Sequence, residues 1–146
     1  MTVYKKGRYW YGTEDLDIQA EVVRFSRLNE HEAVRFSAAS CTCGGTTFKL
    51  ESDEDAGAAK RTCARCGAER LMGDSAEYVV DAQFDNHLCV CDAEIFAITS
   101  GVALYTESND VRWYYIGCRC INCSLVGVFA NWKCQSGDAD ALLAET

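Results

Sequence analysis

The chain contains one cysteine-rich phrase twice, and this duplication constrains the fold more than any other feature of the sequence. The phrase CTCGGTTFKL begins at Cys41, and CVCDAEIFAI begins at Cys89. Each phrase is followed by a Cys-x-x-Cys pair, which divides eight of the ten cysteines into two sets of four. The first set is Cys41, Cys43, Cys63 and Cys66, and the second is Cys89, Cys91, Cys120 and Cys123.

Apolar residues recur at matching distances from the two sets. Phe48 and Phe96 each lie five residues after the second cysteine of their phrase, and Leu50 and Ile98 follow two residues later. The gap between the two cysteine pairs is 19 residues in the first copy and 28 in the second. A cysteine framework with matching apolar positions indicates an internal duplication whose second copy carries longer hairpin strands.

The cysteine spacing favours metal ligation. Each close pair supplies two thiolates from one turn, and two pairs complete a tetrahedral shell. The basic start of the chain has no apolar run behind it, and no stretch is long enough to span a membrane, so we expect a cytoplasmic protein. In a reducing compartment, ten cysteines are metal ligands more often than disulfides. We therefore expect two structural Zn²⁺ ions, with iron as the open alternative, because four thiolates accept both metals.

The segments CTCGG…CARCG and CVCDA…CINCS resemble the zinc-ribbon family over about residues 36–75 and 84–133. In that family, two cysteine-bearing turns at hairpin tips hold a structural zinc between three short antiparallel strands. The whole chain also resembles small bacterial double zinc-ribbon proteins, a resemblance that implies no particular activity. Two features depart from the pattern: the first turn is Cys-x-Cys rather than Cys-x-x-Cys, and Ser124 stands where the first copy has Gly67.

The strand and helix patterns predict a mostly β, small α+β protein: two tandem zinc-ribbon-like antiparallel units with an N-terminal helix. The predicted organisation is an aromatic arm and helix in 1–35, a first ribbon in 36–76, a second ribbon in 77–134, and a tail in 135–146 that is mobile or a short frayed helix. Thr13 is the expected N-cap of the helix, whose apolar face is expected to contain Leu16, Ala20 and Val23 and to be broadened by Ile18, Val22 and Phe25.

Four further side chains could in principle bind metal or react. The repeat register leaves Cys118 and Cys134 outside the two sets, and we expect both to be buried thiols that pack as small hydrophobic groups. The alternative for Cys118 is a spare ligand or an oxidation-sensitive thiol. His87 is expected to be solvent-exposed, because the first copy has Ala39 at its position, and His31 is also expected to be solvent-exposed.

The charge distribution bears on the partner. Residues 76–146 contain three basic and ten acidic side chains, whereas residues 1–36 contain six of each. The net charge of −8 disfavours an electrostatic grip on nucleic acid, and an acidic face suits a basic protein partner. We therefore expect a protein–protein interaction module, of which an acidic inhibitor or immunity-type protein is one version, without membrane contact.

Nucleic-acid binding is the alternative, because basic and aromatic residues alternate near the N-terminus and more arginines flank the first cysteine set. The contacts would come from Lys5, Lys6, Arg8, Tyr9, Trp10, Arg61 and Arg65.

Enzymatic activity is not expected. Two shells of four cysteines leave no open position for the water of a catalytic zinc. The stretch beginning at His31 resembles a His-Glu-x-x-His helix, but Arg35 replaces the second histidine. The stretch GDSAE at Gly73 has the serine of a nucleophile elbow, but Glu77 replaces its closing glycine.

Overall fold

A computed structural model describes residues 3–135 and 137–146 and confirms a mostly antiparallel β protein with an N-terminal helix and a small C-terminal helix. The strands are β1 (Tyr4–Lys6), β2 (Tyr9–Tyr11), β3 (Arg35–Ala38), β4 (Phe48–Asp53), β5 (Ala58–Cys63), β6 (Glu69–Leu71), β7 (Asp85–Asn86), β8 (Phe96–Leu104), β9 (Val111–Cys120) and β10 (Leu125–Lys133). The helices are α1 (Asp15–Leu28) and α2 (Ala139–Ala144), with 3-10 turns at Ser75–Glu77 and Val79–Asp81.

The two copies meet in the middle of one sheet. The strands follow the order β1-β2-β10-β9-β8-β4-β5-β6, so the three main strands of each copy lie side by side. Phe48 and Phe96, which occupy the same place in the two copies, face each other where antiparallel β4 and β8 meet. Antiparallel pairing of two equivalent residues places a local two-fold axis between them, which explains why the strand order is mirrored across that junction.

The strand that precedes each cysteine set pairs with the opposite copy. β3, ahead of the first set, pairs with β8, and β7, ahead of the second set, pairs with β4. Ala38 faces Thr99, and Asn86 faces Glu51. Ala38 and Asn86 occupy equivalent places in the two copies, and so do Glu51 and Thr99. The two strand pairings are therefore related by the same two-fold axis. The copies are therefore interlocked by backbone pairing as well as by side-chain packing.

Apolar residues cover both faces of the central strands. Residues 96–103 of β8 are all buried, since α1 lies on one face and the larger hydrophobic cluster lies on the other. The larger cluster contains Phe48, Phe96, Tyr114 and Trp132. Removing a fully buried aromatic ring of this kind from water stabilises the fold by about 1.5–3 kcal/mol.

Helix α1 begins one residue later than predicted, and only part of its predicted apolar face packs on the sheet. Glu14 rather than Thr13 is the N-cap, and its N–H donates to Asp17 Oδ2 at 2.9 Å. Ile18 and Val22 are fully buried, whereas Leu16 is exposed, so the prediction that Leu16 lies on the buried face was wrong. The side of α1 that carries Ile18 and Val22 faces the sheet, because α1 lies too close to β9 for any other side of the helix to fit.

A glycine in β9 allows α1 to lie close to the sheet. A Cβ atom on Gly117 would stand 2.5 Å from Val22 Cγ2 and 2.8 Å from Ile18 Cγ2, closer than atoms can approach. The missing side chain therefore makes room for the two buried residues of the helix.

The tail contains the short helix α2, which packs on β8 and β3. Asp138 is its N-cap and accepts a hydrogen bond from the Ala141 N–H, while Leu142 and Leu143 are buried. In the part of the chain that the structure describes, both helices lack the length and apolar character of a membrane-crossing segment.

Candidate metal centres and charged surfaces

The first four cysteines come together from two turns that flank β4 and β5. Here the cluster of Cys41, Cys43, Cys63 and Cys66 is called the first centre. The sulfurs of Cys41 and Cys66 lie 3.5 Å apart, those of Cys43 and Cys63 lie 3.6 Å apart, and all four lie within 4.8 Å of one another. These distances are far longer than a disulfide bond of about 2.0 Å. A tetrahedral zinc with Zn–S bonds of about 2.3 Å needs sulfurs about 3.8 Å apart, so the four thiols fit one ion.

The second centre, made of Cys89, Cys91, Cys120 and Cys123, repeats this geometry. Its sulfurs also pair at 3.5 Å, between Cys89 and Cys123, and at 3.6 Å, between Cys91 and Cys120. The pairing joins equivalent cysteines in the two copies, and all four sulfurs again lie within 4.8 Å. The structure therefore gathers all eight cysteines named from the sequence into two clusters that could each hold one metal ion.

Each centre is shaped by a left-handed backbone residue in each of its two turns. Gly44 (φ 91°) and Gly67 (φ 78°) follow cysteines in the first centre. Asp92 (φ 72°) and Ser124 (φ 69°) hold the same two places in the second centre, although left-handed conformations cost side-chain-bearing residues about 1–2 kcal/mol. Ser124 therefore forms the same turn as Gly67, but its backbone is strained.

The surroundings of the sulfurs favour thiolates at specific positions. The Cys43 backbone N–H lowers the pKa of Cys41 to about 6, and the Asn122 side-chain amide lowers the pKa of Cys91 to about 6. Burial has the opposite effect at Cys89 and raises the pKa of its thiol. Since metal ions bind thiolates rather than thiols, protons compete with metal at both centres.

The two remaining cysteines lie apart from the centres. Cys118 and Cys134 are both buried, and burial raises the pKa of each thiol. The prediction that they pack as small hydrophobic groups is confirmed, since both belong to the larger hydrophobic cluster.

The two histidines contact neighbouring side chains, and the prediction that they are solvent-exposed was wrong. His87 is half-buried, and its Nε2 lies 2.5 Å from Ser52 Oγ while its ring packs beside Phe129. Its position follows from the pairing of β7 with β4, because the backbone N–H of His87 donates to the Leu50 carbonyl at 2.9 Å. Burial lowers the pKa of His87. The ring of His31 stacks on Trp113 with centroids 4.8 Å apart.

The candidate nucleic-acid contacts divide between surface and interior. Lys5, Lys6, Arg8 and Arg65 are exposed, whereas Tyr9 and Trp10 are half-buried in β2. The Arg24 guanidinium lies 5.1 Å from the centre of the Trp10 ring and covers part of it.

Arg61 lies inside the protein. It is 3% exposed, it donates to the carbonyl oxygens of Thr146 and Ser40, and it lies over the ring of Phe48 at 4.4 Å. The positive charge of Arg61 therefore interacts with groups inside the protein. Burial lowers the pKa of Arg61.

The acidic surplus of residues 76–146 is partly neutralised by ion pairs to earlier parts of the chain. Glu94 pairs with Lys49 at 3.3 Å, and Glu145 pairs with Arg70 at 2.9 Å. Asp140 also pairs with Arg35. Segment charges read from the sequence therefore overstate the acidity of the folded surface around these residues.

An acidic groove remains between the β4–β5 turn and β7. It encloses about 290 Å³ and is lined by Asp53, Glu54, Asp55 and Asp85, together with Ser52, Asn86 and His87. The backbone N–H groups of Gln83 and Ala56 donate to the Asp53 carboxylate and lower its pKa, with the larger effect from Gln83, so this side chain stays charged. No lysine or arginine lines the groove among the described residues. Sequence reasoning missed it because exchange of β7 brings Asp85 beside the turn.

Comparison of this chain with protein-family models, with curated proteins and with solved structures found no match.

Proposed function

We propose that this chain is a non-catalytic, zinc-ribbon-type protein in which two structural Zn²⁺ ions hold a rigid surface that binds another macromolecule. The favoured partner is a basic protein, and the binding surface is the acidic groove. Masking a basic toxin or nuclease, as an inhibitor or immunity protein does, is the specific form of this proposal. The observation that carries the proposal is a groove with four acidic and no basic lining side chains.

The sulfur geometry supports a structural rather than a catalytic metal. Four thiolates fill a tetrahedral shell, whereas a catalytic zinc keeps one position open for water or substrate. An apparent zinc-binding free energy of roughly 10–16 kcal/mol per site would order turns that bury few apolar side chains of their own.

The groove suits a positively charged partner because its carboxylates are held by the backbone. Asp53 accepts hydrogen bonds from the N–H groups of Ala56 and Gln83, and Glu54 accepts one from the Asn131 N–H at 3.3 Å. Asp55 and Asp85 remain exposed beside them. Fixed charges of one sign in a concavity focus the electrostatic field and raise association rates of oppositely charged partners.

The first experiment is elemental analysis with native mass spectrometry of the protein purified from its host. We expect two zinc ions per chain. If the protein is red-brown and contains iron, the bound metal is iron instead of zinc. Protein without metal, or with the eight cysteines in disulfides, would overturn the proposal.

The second experiment tests the groove. The wild-type chain and the double variant Asp55→Lys/Asp85→Lys are used as baits for lysate of the native host, and the affinity of any captured protein is then measured against salt. We expect a captured protein of basic isoelectric point whose affinity falls at least tenfold with the double variant. Glu30→Lys/Glu107→Lys changes two exposed positions outside the groove and alters the charge by the same amount, so it is the matched control. A partner that binds wild type and double variant equally would contradict the proposed surface.

Nucleic-acid binding is the second candidate function, favoured by the exposed cations Lys5, Lys6 and Arg8 on one hairpin. The test is retention of the protein on single-stranded DNA and RNA across a salt series. Absence of retention at low salt would eliminate this candidate, because phosphate contacts are strongest there.

A further inference from the structure

The outer edge of β10 is only partly covered by its neighbour β2. β2 pairs with β10 at Leu125 and Val126, whereas β10 continues to Lys133. Glu54 accepts the Asn131 N–H near the far end of the strand. Between these points, Gly127–Phe129 form no ladder pair with β2 among the described residues. These three residues are called the open edge.

The hydrogen-bond alternation of the ladder shows which backbone groups the open edge offers. The Gly12 N–H donates to the Ser124 carbonyl at 2.9 Å, which makes this a hydrogen-bonded position. Such positions recur at every second residue of an antiparallel pair. The register of β10 shifts only after Val128, between Val128 and Ala130, so Val126 and Val128 direct their N–H and C=O groups to the same side. Trp10 faces Val126, but β2 begins at Tyr9 and provides no strand residue opposite Val128.

Two concavities of about 250 Å³ each flank the open edge. They share Tyr9, Leu125 and Phe129, and each then extends over a different face of the sheet. The first is apolar and reaches Leu88 and Val90, which are exposed although both are large apolar side chains.

The second concavity extends towards helix α1 and carries the charges. It is lined by Trp10 and Phe25 together with Arg8, Glu21 and Arg24. Glu21 is already neutralised, because Arg24 donates to both of its carboxylate oxygens at 2.6 and 2.8 Å. Arg8 is exposed, and Lys5 is directly opposite Trp10 and so shares its face of the hairpin, which makes the net charge facing this side positive.

We infer that the open edge binds an extended segment of a partner protein in which apolar side chains alternate with acidic ones. A strand added beside β10 would pair its backbone with Val128. Because successive side chains of a strand point to opposite faces, alternate residues would enter the two concavities. The apolar residues contact Leu88, Val90 and Phe129, and the acidic residues face Arg8 and Lys5. This site goes beyond the proposed function, and its charge is opposite to that of the acidic groove.

The experiment uses a fluorescein-labelled peptide of seven residues, Glu-Val-Glu-Val-Glu-Val-Glu, and the full-length metal-loaded protein. Binding is followed by fluorescence anisotropy. Two peptides serve as comparisons: Glu-Glu-Glu-Glu-Val-Val-Val has the same composition without alternation, and Lys-Val-Lys-Val-Lys-Val-Lys has the opposite charge. We expect saturable binding of the alternating acidic peptide and at least tenfold weaker binding of the other two.

Variants locate the site. Leu88→Glu introduces a negative charge into the apolar concavity at an exposed position, and Val128→Pro removes the outward N–H. Each is expected to weaken binding at least tenfold. Leu28→Glu, an exposed apolar residue at the end of α1, is the control and is expected to change nothing. Metal content and circular dichroism verify each variant, and Arg8→Glu replaces Val128→Pro if the proline variant does not fold.

Several outcomes would overturn the inference. They are equal binding of all three peptides, unchanged binding by Leu88→Glu, displacement of the peptide by a single-stranded oligonucleotide, or a dimer in which a second copy occupies this edge. The variant Asp55→Lys/Asp85→Lys leaves the open edge intact and is expected to bind the peptide normally. Failure at the open edge is therefore distinguishable from failure at the acidic groove.

Discussion

The two centres have the same sulfur geometry but differ in how the protein surrounds it. In the first centre Cys43 and Cys66 are exposed, whereas in the second centre Cys89 and Cys120 are buried and the other two cysteines are half-buried. The strands behind the first centre, β4, β5 and β6, have 6, 6 and 3 residues. Those behind the second, β8, β9 and β10, have 9, 10 and 9. The second centre is thus continuous with the hydrophobic core, and the first lies at its margin.

The turns reflect this difference. The first centre uses Gly44 and Gly67 where the backbone is left-handed, and it uses Gly45 where a Cβ would stand 2.8 Å from Cys63 Sγ. The second centre has side chains at the equivalent positions, including the left-handed Asp92 and Ser124. Packing of long strands can hold strained turns in place, whereas short strands require turns that are relaxed by themselves. We therefore expect that two centres with equal sulfur geometry differ in how much the fold depends on an ion bound there.

The largest expected effect comes from replacing one ligand in each centre. Cys120→Ser removes a ligand and places a hydroxyl in the core, whereas Cys66→Ser removes an exposed ligand beside β6. We expect the core variant to lose about 5 kcal/mol of its free energy of unfolding and to lower Tm by about 10–20 °C, since about 1 kcal/mol corresponds to 2–4 °C at this size. The Cys66 variant is expected to lower Tm less than half as much. Thermal unfolding followed by circular dichroism, with metal content per chain, provides the measurement.

Chelator treatment of the wild-type protein sharpens the same comparison. The exposed thiolates of the first centre are accessible to a competing ligand, whereas the buried ligands of the second must first be uncovered. We expect two phases of metal release, with the first ion leaving at least tenfold faster and the Cys66→Ser variant lacking that fast phase. A single phase for both ions would show that the centres open together.

Arg61 and Cys118 occupy equivalent places in the two copies and provide a matched pair of core substitutions. Arg61→Leu leaves the carbonyls of Thr146 and Ser40 without their guanidinium donor, and an unsatisfied buried polar group costs about 1–3 kcal/mol. Cys118→Ala removes only a buried sulfur from apolar surroundings, and we expect a loss of about 1 kcal/mol. Urea unfolding measures both free energies. Equal losses would indicate that the contacts of Arg61 add nothing to stability.

The smallest expected effects come from exchanging residues in the left-handed turns. Ser124→Gly relieves backbone strain and is expected to stabilise the protein by about 0.5–1 kcal/mol, and Gly67→Ala is expected to destabilise it by about 1 kcal/mol. Urea unfolding of both metal-loaded variants gives the free energies. If both substitutions shift stability in the same direction, backbone conformation is not the cause.

Residues close together in sequence were easier to predict than residues far apart. The spacing of the cysteines and the match between Phe48 and Phe96 indicated two equivalent hairpin units, because these features depend on local chain geometry. The buried face of α1 could not be read in the same way. Leu16 and Ile18 are both apolar, and only the gap above Gly117 decides which of them packs on the sheet.

Function was less predictable than fold for a related reason. Segment charges indicated an acidic second half, but the folded protein pairs Glu94 of the second copy with Lys49 of the first, and Glu145 of the tail with Arg70. Among the described residues, Asp53 and Asp85 line the acidic groove without an ion pair, and they come from different copies. Composition counts charges correctly but does not place them.

The sequence by itself determined the two sets of four thiols, their close pairs within single turns, and the equivalence of the two copies. All of these follow from spacing along the chain. Only the tertiary structure decided that β3 and β7 cross to the opposite copy, that Arg61 is buried where its counterpart is Cys118, and that His87 contacts Ser52. These outcomes depend on which arrangement of the whole sheet buries the most apolar surface with its backbone groups paired, and that free energy is a sum over residues distant in sequence.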